Sequence, residues 1–283
     1  MTDTGRQHWA GHRAVVIGGS IGGLTAALLL RKLGFDVDVY ERTPTDLDGR
    51  GGGIVLQPDT LRWFVECSEQ HPENVSTATH FVQYLSSENE VVYREAAPWR
   101  YTSWGTFYRA LLADFGTERY HLGEYASGFD QDAEGVEVRF ASGRIERAEL
   151  VVFADGITSA SRRRISPSSE LEYSGYVGWR GTVPESEVSP ATFDLLRDSI
   201  SYSFGPHTHI NVYPIPSPSG GLAVGERLRE GQNVQFHLRD AAASSLDLQA
   251  MLSQFRETVT TLLSHVEFQP NASDTPPPAL TSM

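Results

Sequence analysis

Six residues near the start of the chain, Gly18-Gly19-Ser20-Ile21-Gly22-Gly23, have the types and spacing to hold a phosphate chain. They stand between a short apolar run, Ala14 to Ile17, and a run of good helix formers, Ile21 to Leu33. Glycine permits a tight turn and a close approach of backbone to an anion, and the unpaired N–H groups of a helix start attract one. Ser20 occupies the place where the usual dinucleotide fingerprint has its middle glycine, and its hydroxyl can itself donate to phosphate. Glu41 follows 18 residues after Gly23, at the end of the alternating segment Val37 to Tyr40. A carboxylate there can accept both hydroxyls of a ribose.

A second group is Ala154-Asp155-Gly156-Ile157-Thr158-Ser159-Ala160-Ser161-Arg162, at the exit of the wholly apolar run Leu150 to Ala154. Asp-Gly after a strand is by itself a turn, with Asp155 as a helix cap. Ser159 and Arg162 at their spacing make it distinctive. A third group is Arg50-Gly51-Gly52-Gly53-Ile54. Consecutive glycines cost backbone entropy, so they mark a bend or a close approach, with a plain flexible loop as the alternative.

Farther on, Trp179 and Arg180, then His207, His209 and Tyr213, offer aromatic and polar groups for the wall of an aromatic pocket. Trp and Tyr in a sheet are more often packing, and a loop histidine is more often plain surface than a group that orients or deprotonates a phenol. Arg162-Arg163-Arg164 suits either dinucleotide phosphates or a solvated helix face. No acid–base residue is assignable, and no Cys/His spacing supports zinc.

The elements that must position these groups begin with strand, glycine turn, helix and strand, stopped by Gly34: a right-handed crossover unit. A helix is expected from Pro58, with Cys67 in it as a half-buried, inert thiol. Hairpins are expected across His80 to Glu95 and Phe129 to Phe140, a helix over Thr106 to Phe115, and a strand buried on both faces at Leu150 to Ala154. Residues 171–225 have the texture of an antiparallel sheet, Leu246 to Leu263 reads as a helix, and 269–283 as a disordered Pro/Ser/Thr-rich tail. The fold class is therefore α/β, a Rossmann-like domain over 1–170 with a hairpin inserted at about 80–100, and an antiparallel-sheet domain over 171–268.

A net charge of −13 argues against a nucleic-acid partner, while leaving room for local arginines to hold an anionic cofactor. The single cysteine excludes an intrachain disulfide and suits a reducing compartment. The polar N-terminus lacks a secretory core, and no apolar run approaches the ~20 residues needed to cross a bilayer. A soluble, cytoplasmic protein is expected.

In order and content, the four motifs Gly18–Gly23, Arg50–Ile54, Thr106-Phe107-Tyr108-Arg109 and Asp155–Arg162 resemble those of the FAD-dependent aromatic hydroxylases, the class A flavin monooxygenases. Gly175-Tyr176-Val177-Gly178-Trp179-Arg180 adds a likeness to the branch that hydroxylates dihydroxypyridines. The resemblance covers roughly residues 12 to 240. It implies that Gly18, Ser20, Ile21, Gly22 and Gly23 hold the ADP half of FAD, that Glu41 binds the adenosine ribose, and that Arg42 lies beside it. It further implies that Arg50, Gly52 and Gly53 run along the flavin and that Arg109 contacts FAD. Asp155, Gly156, Ser159 and Arg162 would serve FAD and, indirectly, NAD(P)H. The implied reaction is hydroxylation of a small aromatic or hydroxypyridine-type substrate with NAD(P)H and O2, with Trp179, His209 and Tyr213 as candidates for the substrate pocket and a homodimer among the implied assemblies.

The family's further Gly-Asp-Ala motif, which serves the ribityl chain and ring of the flavin, has no counterpart here. Asp132-Ala133 and Asp240-Ala241 lack its glycine and proline context. The expectation is a chain shortened at its C-terminus that hydroxylates poorly as given. A reductase or halogenase of the same group, an NAD dehydrogenase and a non-catalytic flavoprotein remnant are the rival readings. The dehydrogenase leaves Asp155 to Arg162 unexplained.

Overall fold

A computed structural model of the chain describes residues 9–47, 52–86, 88–169, 171, 177–185, 188–205, 208–216 and 232–240. In chain order the elements are β1 (Arg13–Ile17), α1 (Ile21–Leu33), β2 (Asp36–Glu41), β3 (Gly53–Leu56), α2 (Pro58–Glu66), the single turn α3 (Pro72–Val75), β4 (Thr77–Ala78), β5 (Phe81–Leu85), β6 (Val91–Ala96), β7 (Arg100–Ser103) and α4 (Trp104–Phe115). There follow β8 (Tyr120–Leu122), β9 (Ala126–Gln131), β10 (Val136–Phe140), β11 (Ile145–Ala148), β12 (Leu150–Phe153), α5 (Ala160–Ile165), β13 (Val177–Pro184), α6 (Pro190–Leu196), β14 (Ser199–Gly205), β15 (Thr208–Pro216) and β16 (Gln232–Asp240). The fold is mixed α/β, and the chain forms two compact units, one of residues 1–48 with 107–172 and the other of 49–106 with 173–283.

The first unit is built on a four-stranded sheet of order β12-β1-β2-β8, parallel throughout. Its crossover helix α1 buries Gly23, Leu24, Ala27 and Leu28. Gly34 ends it in the left-handed region, at φ 105°, with its N–H turned back to the carbonyls of Leu30 and Arg31. An antiparallel sheet β11-β10-β9 contributes Val138, Phe140 and Ala148 to a core shared with Val15, Ile17 and Tyr40.

Two strands of this unit differ from the sequence expectation. β12 is half-buried along its length, not buried on both faces, because among the described residues it pairs only with β1 and forms the sheet's edge. β2 is buried beyond its valines: Asp38, the polar member of the alternation, is itself buried. Arg13 donates to it at 3.2 Å and His121 Nε2 lies 3.0 Å away, so the strand carries a paired carboxylate inside the unit.

The second unit holds a six-stranded sheet of order β13-β16-β15-β14-β5-β6 and a small sheet β3-β7-β4. The expected hairpin at 80–95 forms as β5 and β6, but β5 pairs in parallel with β14, so the hairpin extends the larger sheet. Val82, Tyr101, Ile200, Tyr213 and Ile215 make its core. Cys67 is the capping residue just after α2, half-buried and outside any disulfide. The helix expected at Leu246 to Leu263 and the tail from 269 lie outside the described residues.

Candidate functional site

In the first unit, the ends of β1, β2 and β12 converge on one edge of the sheet. The chain leaves β1 for β2 on one side, while β12 returns to β1 on the other. Because the strands are parallel, all three carboxyl ends point the same way, and the reversal of strand order opens a crevice beyond β1.

The turn from β1 to α1 takes three residues, 18 to 20, and each glycine around it has its own constraint. Gly18 sits at φ 104°, donates to the Tyr40 carbonyl at 2.8 Å, and leaves only 2.2 Å between an added Cβ and the Ala154 carbonyl oxygen. Ala154 in turn donates to the Ile17 carbonyl at 2.7 Å, so the glycine turn and the Asp155 motif are in direct contact. At Gly23 a Cβ would lie 1.7 Å from the Gly18 carbonyl oxygen, which is how the helix start packs so closely on the turn. Gly22 differs: it is exposed, and a Cβ there would meet nothing within 4 Å. The helix start is thus sealed at Gly18 and Gly23 and open at Gly22.

Ser20 is the N-cap, extended in backbone, and its hydroxyl makes no capping bond. Its carbonyl accepts from Leu24 at 2.9 Å, and the N–H groups of the first turn have no intrahelical acceptor. No acidic residue occupies that turn, so its positive potential remains available to an anion.

Glu41, at the end of β2, is 6% exposed. Its Oε2 accepts from the Gly19 N–H at 2.8 Å and its Oε1 from the Thr43 N–H at 2.9 Å. Sequence reasoning gives this carboxylate a ligand to hold; the structure adds a structural duty, since it anchors the glycine turn. Each oxygen keeps a further lone pair for a ligand hydroxyl.

Gly19, which the fingerprint leaves unspecified, is equally constrained. A Cβ there would lie 2.3 Å from the Tyr120 hydroxyl, which donates to the Gly19 carbonyl at 2.8 Å. The Tyr108 hydroxyl is 3.2 Å from that of Tyr120. Burial, reinforced by the Tyr108 hydroxyl, pushes the Tyr120 phenol well above its ordinary value, so it stays protonated and able to donate. Sequence reasoning includes Gly19 and Tyr108 in motifs but gives neither this constraint nor any role to Tyr120.

Beyond β12, Gly156 adopts φ 81° and Ser159 caps α5 by accepting from the Arg162 N–H at 2.8 Å. The Arg162 side chain curls back to the Ile157 carbonyl at 2.6 Å, and its Nε is buried without a partner. Phe153, Asp155, Gly156, Ser159 and Arg162 line a cleft of about 310 Å³. Arg42 reaches this loop, donating to Thr158 Oγ1 at 3.2 Å. The structure therefore brings together Gly18 to Gly23, Glu41, Arg42 and the Asp155 motif. Arg163 is exposed, and Arg164 is engaged with Asp130 at 2.7 Å. Arg109 is half-buried on α4.

In the second unit, the Gly52 carbonyl accepts from Trp104 at 2.8 Å and Gly53 opens β3 opposite Ser103. Arg50 and His207 lie outside the described residues. Trp179 is on β13, opposite Leu238. His209 is half-buried, its ring 5.9 Å from that of Phe204. Tyr213 is buried on β15, its ring 4.6 Å from that of Tyr101 in the core of the larger sheet. Among the described residues, no three His, Cys, Asp or Glu side chains are grouped to hold a metal.

Open helix-start donors, an accepting carboxylate with spare lone pairs and a buried unpartnered guanidinium nitrogen make a set of hydrogen-bonding groups that fits a dinucleotide. Comparisons with known proteins agree. Residues 16–52 match an NAD(P)-binding Rossmann-like domain, and residues 173–259 match an FAD binding domain-like family. The chain is 36% identical, over 86% of its length, to 2,6-dihydroxypyridine 3-monooxygenase of Paenarthrobacter nicotinovorans, covering 59% of that protein. It is 30% identical over 72% of its length to aurachin C monooxygenase/isomerase of Stigmatella aurantiaca, covering 54%. The solved 2,6-dihydroxypyridine-3-hydroxylase from Arthrobacter nicotinovorans superposes with a TM-score of 0.72 at 37% identity, over 82% of this chain and 57% of that one. Klebsiella pneumoniae HpxO, solved with FAD and uric acid, shares the fold with a TM-score of 0.70 at 22% identity, over 89% of this chain and 63% of that one. The chain spans less than two thirds of the length of each of these relatives.

Proposed function

Over the length it shares with them the chain belongs to the FAD-dependent monooxygenases, and on that premise we propose that it binds FAD and serves the hydroxylation of a small aromatic or hydroxypyridine-type substrate. The observation that carries the proposal is the joined turn: a glycine fingerprint, its carboxylate and the Asp155 motif meet at the carboxyl ends of β1, β2 and β12. Bound FAD would accept electrons from NAD(P)H and, with O2, supply the oxygen atom added to the ring.

The chain's own residues do the holding. The N–H groups at the start of α1 face the diphosphate, with Gly22 leaving room for it and the Ser20 hydroxyl as a further donor. Glu41 accepts the adenosine ribose hydroxyls through its spare lone pairs, and Arg42 closes the same corner through Thr158. Asp155, Gly156, Ser159 and Arg162 line the cleft beside it. Arg50, Gly52, Gly53 and Arg109 are assigned to the same cofactor. Trp179 and His209 are assigned to the substrate side, where an aromatic face and a polar group would orient a ring. Cytoplasmic location and a homodimer complete the proposal; among the described residues no helix is long and apolar enough to cross a membrane.

The test is direct. The purified chain is titrated with FAD and its flavin spectrum recorded. NAD(P)H oxidation is then followed with hydroxypyridines and aminohydroxybenzoates, and the products are weighed by mass spectrometry for one added oxygen. Absence of any flavin binding sinks the proposal; flavin binding without a hydroxylated product limits it to the cofactor.

A further inference from the structure

The two peptide groups that flank Gly19 are each held from a different side. The N–H of Gly19 is fixed by Glu41 at 2.8 Å, and its carbonyl by the Tyr120 hydroxyl at 2.8 Å. Tyr120 is almost fully buried, so the Gly19 carbonyl points into the unit. In a trans peptide the carbonyl and the following N–H point in opposite directions. The Ser20 N–H is therefore turned outward, to the side where the first turn of α1 and Gly22 are open.

We infer that Tyr120 is a positioning residue for the dinucleotide: by holding the Gly19 carbonyl inward, it presents the Ser20 N–H to the cofactor's diphosphate. The inference rests on the FAD-binding reading above. It also accounts for Gly19 itself. The position is free in a generic glycine fingerprint, but here the tyrosine ring and hydroxyl fill the space of a side chain, at 2.3 to 2.7 Å from an added Cβ. Gly19 and Tyr120 form a matched pair that no spacing rule contains. The Tyr108 hydroxyl lies 3.2 Å from that of Tyr120 and accepts from the Leu47 N–H at 3.5 Å, one step behind the Tyr120 hydroxyl that holds the Gly19 carbonyl.

The experiment compares Tyr120→Phe with Tyr108→Phe, since each keeps its ring and loses one buried hydroxyl. Circular dichroism and thermal melting of the chain without ligand read the fold. FAD and ADP are titrated into the wild-type chain and both variants, and the phosphorus NMR shifts of bound FAD are recorded. We expect Tyr120→Phe to weaken FAD and ADP alike by about threefold to tenfold, the worth of one hydrogen bond, and to move the diphosphate resonances. Tyr108→Phe should leave both affinities within about twofold at a comparable loss of melting temperature. Unchanged affinity in Tyr120→Phe, or an equal loss in both variants, overturns the positioning role while the FAD reading stands. A wild-type chain that binds neither FAD nor ADP overturns both.

Discussion

At the scale of single residues, the glycines around the turn make opposed expectations. Gly22→Ala adds a methyl where nothing lies within 4 Å and replaces glycine inside a helix. It should stabilise the chain without ligand by about 0.5–1 kcal/mol and yet weaken FAD, because the open side is where the diphosphate approaches. Gly23→Ala drives a methyl to within 1.7 Å of the Gly18 carbonyl, so it should lower the melting temperature of the free chain as well. If Gly22→Ala leaves FAD affinity untouched in a titration, the open side is not the ligand's. Glu41→Ala removes the acceptor of two backbone N–H groups and, on the proposed reading, of the ribose hydroxyls. We expect it to cost about 1.5–3 kcal/mol of FAD binding, tenfold to a hundredfold, together with a measurable loss of stability. Gly18, Gly23 and Glu41 were legible in the sequence because a strand, a turn and a helix fix their spacing locally. Gly19 was not, because its constraint comes from Tyr120, a hundred residues away in the chain, and no local pattern encodes that contact.

At the scale of elements, β1-α1-β2 and the hairpins β5-β6 and β9-β10 follow from periodicity and turn residues, which act over a few positions. The partner of β5 does not: its parallel pairing with β14 joins segments that are distant in sequence, and alternation in each strand says nothing about which other strand it meets. The same limit applies to Asp38, which alternates like a surface residue but is buried against Arg13 of β1, His121 of β8 and Arg119 just before β8. Burial alone would raise this carboxyl; the bonds from His121 and Arg13 outweigh it and hold the group below its ordinary value. A folded value below the unfolded one stabilises the fold above the unfolded carboxylate range. That contribution is lost as the pH falls through the folded value, below about pH 4. Asp38→Asn should therefore melt lower than wild type at neutral pH, with the gap closing in acid; a gap that is constant with pH would remove Asp38 from the linkage. At β3, Gly53→Val places a good strand former in a strand. The free chain should keep its circular dichroism while flavin binding falls. Unimpaired binding would make the glycine loop a linker.

At the scale of the whole molecule, the groups of the first unit proposed above to hold the ADP half of FAD are the N–H donors at the start of α1, the Ser20 hydroxyl and the accepting carboxylate of Glu41. A ligand that binds only the folded form stabilises it in proportion to the logarithm of its excess over Kd, about 2.7 kcal/mol at a hundredfold excess. For a chain or unit of this size that moves a melting transition by roughly 5–15 °C. ADP and FAD, each at a hundredfold excess over its own Kd, should both raise the transition in which the first unit unfolds. FMN, which has the flavin ring but no adenosine, should raise it far less at the same concentration as ADP. The control is Glu41→Ala, in which ADP at the same fixed concentration should, with a tenfold to hundredfold loss of affinity, contribute about 1.3–2.3 kcal/mol less linkage. An FMN shift equal to that of ADP, in wild type and Glu41→Ala alike, would mean that the ring half supplies the anchorage, and that the joined turn of Gly18, Gly19 and Glu41 is only a way of packing α1 against its sheet.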